Sequence, residues 1–145
     1  MRNFKALFKE QYVDKIEHIG IAVKDMEVSN KIFEKLMGVP PYKQELVLSE
    51  GVRTSFFASG PNKIELLEAT TQDSPIAKFL ERRGEGIHHI AFAVADIKAE
   101  MERLKNEGFI LLSEEPKSGA DNKWVAFLHP KSTNGVLIEL CQDKE

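Results

Sequence analysis

The chain has 145 residues, of which 42% are hydrophobic and 30% are charged, and its formal net charge is -3 at pH 7. A chain of this size can bury the core of one compact domain without disulfides or structural zinc, and a single cysteine excludes an internal disulfide and fits a reducing, cytoplasmic setting. The mixed, mildly acidic charge argues against a nucleic-acid-binding face and predicts a small-molecule partner.

Residues 1–14 are predicted to be a short N-terminal extension. Charged side chains such as Arg2 interrupt any apolar run, so we expect neither a secretory signal nor a membrane span. An alternative is a helix in which Phe4, Leu7 and Phe8 dock on a partner subunit.

An internal repeat is the most informative feature of the sequence. The segments 17–26 (EHIGIAVKDM) and 88–97 (HHIAFAVADI) align position for position, at an offset of 89 - 18 = 71. Both read His-Ile-x-x-Ala-Val-x-Asp, and both predict a strand that leads into a helix. Asp25 and Asp96 are suited to the N-caps of these helices.

The helix that follows each strand has a predicted inward face. The 3.6-residue period places apolar side chains on one side of each helix. For the first helix these are Val28, Ile32, Phe33 and Leu36, and for the second they are Ile97, Met101 and Leu104.

Short β-rich runs follow each helix, and the two halves match again at their last strands. Ile64-Glu65-Leu66 corresponds to Ile138-Glu139-Leu140. Between the halves, Ser74 and Pro75 are suited to start a linker helix at about 74–84. The fold class is therefore α+β: two β-α-β-β-β modules, at about 15–70 and 86–143, packed as one domain over 15–143.

Strand alternation places one histidine of each module on a face that otherwise carries small residues. His18 shares its face with Gly20 and Ala22, and His89 shares its face with Ala91 and Ala93. A histidine followed by two small residues lines a hollow. His88, next in sequence to His89, is predicted to point to the opposite face and to serve in packing.

Each module also offers one carboxylate, Glu65 in the first and Glu139 in the second. Carboxylates among aliphatic neighbours are costly to ionise, so two at equivalent places require a shared cation or a proton. Together with His18 and His89 they form a mixed nitrogen and oxygen set. This set suits cobalt, zinc, manganese, nickel or iron better than calcium. Taken singly, each histidine is more often a core residue and each glutamate a surface residue; the repeat is what favours a metal site.

Two further groups of residues carry weaker predictions. Lys117 and Lys131 lie in the loops of the second half together with Ser132, and this group predicts contacts to a phosphate-bearing ligand, although no phosphate-binding glycine loop is present. Cys141 shares the face of Glu139, and we expect it to pack as a small hydrophobic residue rather than to act as a ligand.

The repeat with its four candidate ligands resembles the vicinal-oxygen-chelate superfamily, which includes glyoxalase I and the extradiol dioxygenases. Within it, the sequence is similar to the methylmalonyl-CoA epimerase family over about 15–142. The segments that carry this similarity are IEHIGIAV, KIELLEAT, DSPIAKFL, GEGIHHIAF, EEPKSGA and HPKSTNGVLIEL.

The resemblance implies a homodimeric isomerase that binds an acyl-CoA and holds a divalent metal ion with His18, Glu65, His89 and Glu139. Members of the family vary between Glu and Gln at the position of Glu65. Some carry an acid-base glutamate in the third strand, where this sequence has Thr54. The nearest carboxylates that could substitute are those of Glu45 and Glu50. We expect Glu139 to be one acid-base group and Glu50 the other, with a water held by Thr54 as the alternative.

Three alternative functions stay open at the level of the sequence. A glyoxalase I-like lactoylglutathione lyase has nearly the same ligand pattern. A non-catalytic protein that binds an antibiotic or another small molecule has the same fold but needs no metal. An extradiol dioxygenase normally uses two histidines and one carboxylate, and the extra carboxylate disfavours it.

Overall fold

The structure, a computed structural model, describes residues 12–145. The first module contains five elements in the predicted order. These are strand β1 (Lys15–Ala22), helix α1 (Met26–Met37) and strands β2 (Lys43–Val47), β3 (Val52–Ser59) and β4 (Asn62–Ala69). The proposed docking helix around Phe4, Leu7 and Phe8 lies outside the described residues.

The second module repeats this order after the predicted linker helix. Ser74 caps that helix by accepting a hydrogen bond from the backbone N–H of Ile76. The elements are helix α2 (Pro75–Arg83), strand β5 (Gly86–Ala93), helix α3 (Ile97–Asn106) and strands β6 (Lys117–Gly119), β7 (Lys123–Leu128) and β8 (Ile138–Asp143). The prediction of two β-α-β-β-β modules joined by a linker helix is confirmed.

The eight strands form one mixed sheet in the order β2-β3-β4-β1-β5-β8-β7-β6. The two modules join through the antiparallel pairing of β1 with β5. Although β2 and β6 are the two edge strands, they come together across the concave side: Lys43 and Glu45 of β2 bind Asp121 in the β6–β7 turn. The sheet therefore curves almost into a barrel, and its concave face encloses a cavity.

The helices α1 and α3 cover the outer face of the sheet. The N-caps are as predicted, because Asp25 accepts a hydrogen bond from the N–H of Val28 and Asp96 accepts one from Ala99. The predicted face of α3 is confirmed: Ile97, Met101 and Leu104 are buried against Ala126, Leu128 and Leu140.

The predicted inward face of α1 is wrong for three of its four residues. Val28, Ile32 and Leu36 are 55%, 57% and 74% exposed. The helix instead buries Met26 and Ser29, and Phe33 and Met37 pack on Phe57 and Leu66. The buried face of the helix also includes a polar residue, Asn30, which accepts a 2.6 Å hydrogen bond from the hydroxyl of Ser55 in β3. A search for an apolar stripe passes over such a position.

Over residues 12–145, none of the helices is both long enough and apolar enough to cross a membrane.

Candidate metal centre and active site

Two β-bulges shape the centre of the sheet. In the β1–β5 pairing, the register passes directly from Ile16 to His18 in β1, and from His89 to Ile87 in β5. Glu17 and His88 are therefore extra residues without an opposing partner on the neighbouring strand. They occupy equivalent places in the repeat, each just before the histidine predicted to bind metal.

Three of the four predicted ligands converge in the structure. Nε2 of His18 lies 3.0 Å from Nε2 of His89 and 3.5 Å from a carboxylate oxygen of Glu139, and Nε2 of His89 lies 3.4 Å from the other oxygen of Glu139. One donor atom from each of the three residues falls within 4.8 Å of the others, and all three residues are buried. Because His18 comes from the first module and the other two from the second, the cluster spans the repeat.

Glu65, the fourth predicted ligand, lies next to the cluster but on the other side of the His18 ring. Its carboxylate is 3.0 Å from Nδ1 of His18, the nitrogen that faces away from His89. It is buried and lines the same cavity. The four side chains are thus neighbours, with three donors gathered and the fourth held against the ring.

The electrostatics of the cluster show that it needs positive charge. Burial raises the pKa of Glu139, His18 lowers it, and the carboxylates of Glu65 and Glu17 raise it, so that the pKa is about 8. For His18, burial alone would lower the pKa, but hydrogen bonds to Glu17 and Glu65 outweigh it and raise the pKa to about 10. A cation among these groups can replace the proton that His18 otherwise keeps.

The second imidazole is in the state that metal binding requires. Burial lowers the pKa of His89 well below its ordinary range, and charge on His18 or His88 lowers it further. A neutral imidazole has a free lone pair for coordination. Two nitrogen donors with buried carboxylates therefore fit a divalent cation of the transition-metal type.

The prediction that His88 faces away from the site is wrong. Its ring lines the cavity, Nδ1 lies 2.9 Å from Nδ1 of His89, and its ring packs edge-on against Phe79 at 5.0 Å between centroids. The bulge is the reason, because an extra residue breaks the alternation of side chains on which the prediction depended.

Glu17 is a residue beside the site that sequence reasoning missed. It is only 4% exposed, and a carboxylate oxygen lies 3.0 Å from Nδ1 of His18. Burial would raise the pKa of Glu17, but the hydrogen bond from His18 and the charge of Lys63 lower it to about 2. The alignment of Glu17 with His88, two polar residues at one place of the repeat, was the signal available in the sequence.

The cavity enclosed by the sheet has a volume of about 280 Å³. The cluster of His18, His89 and Glu139 forms part of its wall. Apolar side chains form most of the remainder, among them Val47, Val52, Leu67, Ile76, Val125, Phe127 and Leu137. A largely apolar cavity with a few convergent polar groups is typical of a small-molecule site.

The candidates for the second acid-base group differ in whether they line the cavity. Glu50, at the end of a short 3₁₀ turn (Leu48–Glu50), lines the cavity, and so does the buried Thr54 of β3. Glu45 is engaged elsewhere, since it binds Lys43 and accepts a hydrogen bond from the N–H of Asp121. Of the two glutamates nearest to Thr54 in sequence, only Glu50 reaches the cavity.

The predicted phosphate-binding residues fall in two places. Lys117 lines the cavity, with its ammonium 3.7 Å from Glu50. Lys131 and Ser132 lie in the 3₁₀ turn Pro130–Ser132 and are not among the residues that line it. Phosphate binding by Lys131 and Ser132 stays a prediction, and it would involve a part of the ligand outside the cavity.

Cys141 is 1% exposed and packs beside Ala91 and Val125. Burial, and then the nearby charge of Glu139, raise the pKa of its thiol, so the sulfur stays protonated although it lies within 4.8 Å of donor atoms of His18 and Glu17. A protonated thiol is a poor ligand, which agrees with a packing role.

Comparison with known proteins places this architecture in a family. The model of the glyoxalase/bleomycin resistance protein/dioxygenase superfamily matches residues 17–127. The ethylmalonyl-CoA/methylmalonyl-CoA epimerase of Cereibacter sphaeroides is 42% identical over 90% of this chain and 98% of its own length. The human mitochondrial methylmalonyl-CoA epimerase is 40% identical over 88% of this chain and 73% of its own.

A solved structure agrees with these relatives. The methylmalonyl-CoA epimerase of Mycobacterium tuberculosis superposes with a TM-score of 0.89 at 33% identity, covering 94% of this chain and 92% of that protein. The chain belongs to the glyoxalase/bleomycin resistance protein/dioxygenase superfamily and, within it, to the family of the methylmalonyl-CoA epimerases.

Proposed function

We propose that this protein is a metal-dependent epimerase that interconverts the (2R) and (2S) forms of methylmalonyl-CoA. The observation that carries the proposal is the buried cluster of His18, His89 and Glu139, drawn from both modules and set in the wall of an apolar cavity. The relatives named above support the choice of substrate, because they are epimerases of this acyl-CoA.

The reaction requires that a proton leave one face of the carbon between a thioester and a carboxylate and that another return to the opposite face. The enolate formed on the way adds a negative charge to that of the carboxylate, and this charge is the main barrier. His18, His89, Glu139 and Glu65 would hold a divalent cation, which would supply Lewis-acid stabilisation of that charge, worth several kcal/mol.

The residues of the chain supply the proton transfers. Glu139, with one carboxylate oxygen on the cation, uses the other oxygen to take the proton from one face of the carbon. Glu50, which lines the same cavity, delivers a proton to the other face from its carboxyl group. A water held by the hydroxyl of Thr54 is the alternative donor.

The remaining parts of the proposal concern the ligand and the assembly. In this proposal Lys117, which lines the cavity, contacts the charged part of an acyl-CoA, and Lys131 and Ser132 contact a part of the ligand outside the cavity. We propose a cytoplasmic homodimer, and we propose cobalt, zinc, manganese or nickel as the ion, since the donor set contains both imidazole and carboxylate.

The test is proton exchange in deuterated water. Purified protein with (2S)-methylmalonyl-CoA should incorporate deuterium at the α-carbon and form the (2R) epimer, and both activities should disappear after chelation and return with added divalent metal. The thiohemiacetal of methylglyoxal and glutathione, the substrate of a glyoxalase I, serves as the control, and we expect no turnover of it. Exchange that survives complete removal of metal contradicts the mechanism, and turnover of the thiohemiacetal but not of methylmalonyl-CoA contradicts the substrate.

A further inference from the structure

Glu17 is a buried carboxylate to which the proposed chemistry gives no task. Its neighbour Ile16 is 43% exposed, whereas Glu17 is 4% exposed. The bulge at this point of β1 explains the burial, because it frees Glu17 from pairing with β5. The carboxylate of Glu17 lies beside Nδ1 of His18, whose Nε2 faces His89.

Glu17 is held in place by Lys63 of β4. The register of β1 with β4 places Lys63 opposite His18, and its ammonium lies 3.3 Å and 3.2 Å from the two carboxylate oxygens of Glu17. Lys63 is held in turn by Asp121 of the β6–β7 turn, at 2.5 Å. A series of contacts therefore connects Asp121 of the second module, through Lys63 and Glu17, to His18. All four side chains are buried or partly buried.

A histidine that binds a metal through one nitrogen commonly donates the N–H of its other nitrogen to a carboxylate, which fixes the tautomer and the orientation of the ring. Two carboxylates lie at Nδ1 of His18, those of Glu17 and Glu65, each at 3.0 Å. Glu65 is the one assigned to the cation, so it cannot use the same oxygen for both tasks. Glu17, fixed by Lys63, can hold Nδ1 while Glu65 serves the cation.

We propose that Glu17 is a positioning residue, whose carboxylate holds the Nδ1–H of His18 and so directs Nε2 toward the metal ion. This inference rests on the metal site of the proposed function. It assigns Glu17 no contact with the substrate.

The direct test is the affinity of the metal-free protein for Co²⁺, followed by the visible absorption of the bound ion. Glu17→Ala should bind Co²⁺ about 10- to 100-fold more weakly than the unaltered protein, and its absorption spectrum should change. Glu17→Gln, which keeps the size of the side chain, should lose less affinity because its amide oxygen can still accept the hydrogen bond. Glu100→Gln, which removes a carboxylate paired with Arg103 on α3, is the matched control and should bind Co²⁺ normally.

A second readout does not depend on the alanine variant being folded. In the zinc-loaded protein, NMR of the His18 ring should place the proton on Nδ1, and Glu17→Gln should shift that proton resonance. Equal Co²⁺ affinity and spectra for the unaltered protein and Glu17→Ala, or an unshifted ring proton in Glu17→Gln, overturn the positioning role while the epimerase assignment stands. Failure of the unaltered protein to bind Co²⁺ overturns both.

Discussion

The two modules have the same fold but support their histidines differently. In the first, the bulge residue is Glu17, a carboxylate fixed by Lys63. In the second it is His88, packed on Phe79, and burial lowers its pKa to about 4, so it is neutral near pH 7. One histidine thus has an anionic partner and the other an uncharged one. The two histidines therefore occupy equivalent positions of the repeat, but the residues that contact them differ between the modules.

A second difference between the modules concerns the residue across from each histidine. In the β1–β5 pairing His18 faces Ala91, and His89 faces Gly20. A methyl group on Gly20 would lie 2.3 Å from Cε1 of His89. The His89 ring lies so close to β1 that glycine is required opposite it, whereas the strand opposite His18 carries an alanine.

The largest expected effect separates the equivalent carboxylates of the two modules. Glu139→Gln should lower the exchange rate about 1,000-fold, because it removes both a ligand and the proposed base. Glu65→Gln should cost far less, since an amide oxygen can still coordinate the ion. Glu50→Gln should fall between the two. Steady-state and exchange assays on the metal-loaded variants check this order, and equal losses for Glu139→Gln and Glu50→Gln would show that the two glutamates contribute equally.

A smaller effect is expected from exchanging the residues that face the histidines. Gly20→Ala should displace the ring of His89 and lower the exchange rate about 100-fold, because a shift of about 1 Å in a catalytic site can cost that much. Ala91→Gly, the matched variant, should change the rate less than about 10-fold. Metal affinity measured alongside should fall for Gly20→Ala alone, and a Gly20→Ala variant with normal affinity and rate would show that the ring adapts.

The repeat made most of the fold predictable, and the exception is the buried face of α1. The strands, the caps at Asp25 and Asp96 and the linker helix follow from local patterns that the structure keeps. The exposure of Val28, Ile32 and Leu36 does not follow from the apolar pattern, because the buried face of α1 includes Asn30, a polar residue that bonds to Ser55.

The site was predictable where the strands are regular. The alternation rule identified the faces of His18 and His89, but it fails wherever a strand carries an extra residue. The two bulges therefore hid the inward positions of Glu17 and His88. Asp121 was out of reach for another reason: its contacts with Lys43 and Lys63 join segments 78 and 58 residues apart in the chain.

The central claim is that both modules serve one ion, and metal stoichiometry tests it most directly. Metal-free protein is dialysed to equilibrium against Co²⁺, and bound metal is measured for the unaltered protein and for His18→Ala and His89→Ala, one variant in each module. The account predicts one ion per chain in the unaltered protein and a large loss in both variants. Full stoichiometry in either variant would contradict it, because the ion would then depend on one module only.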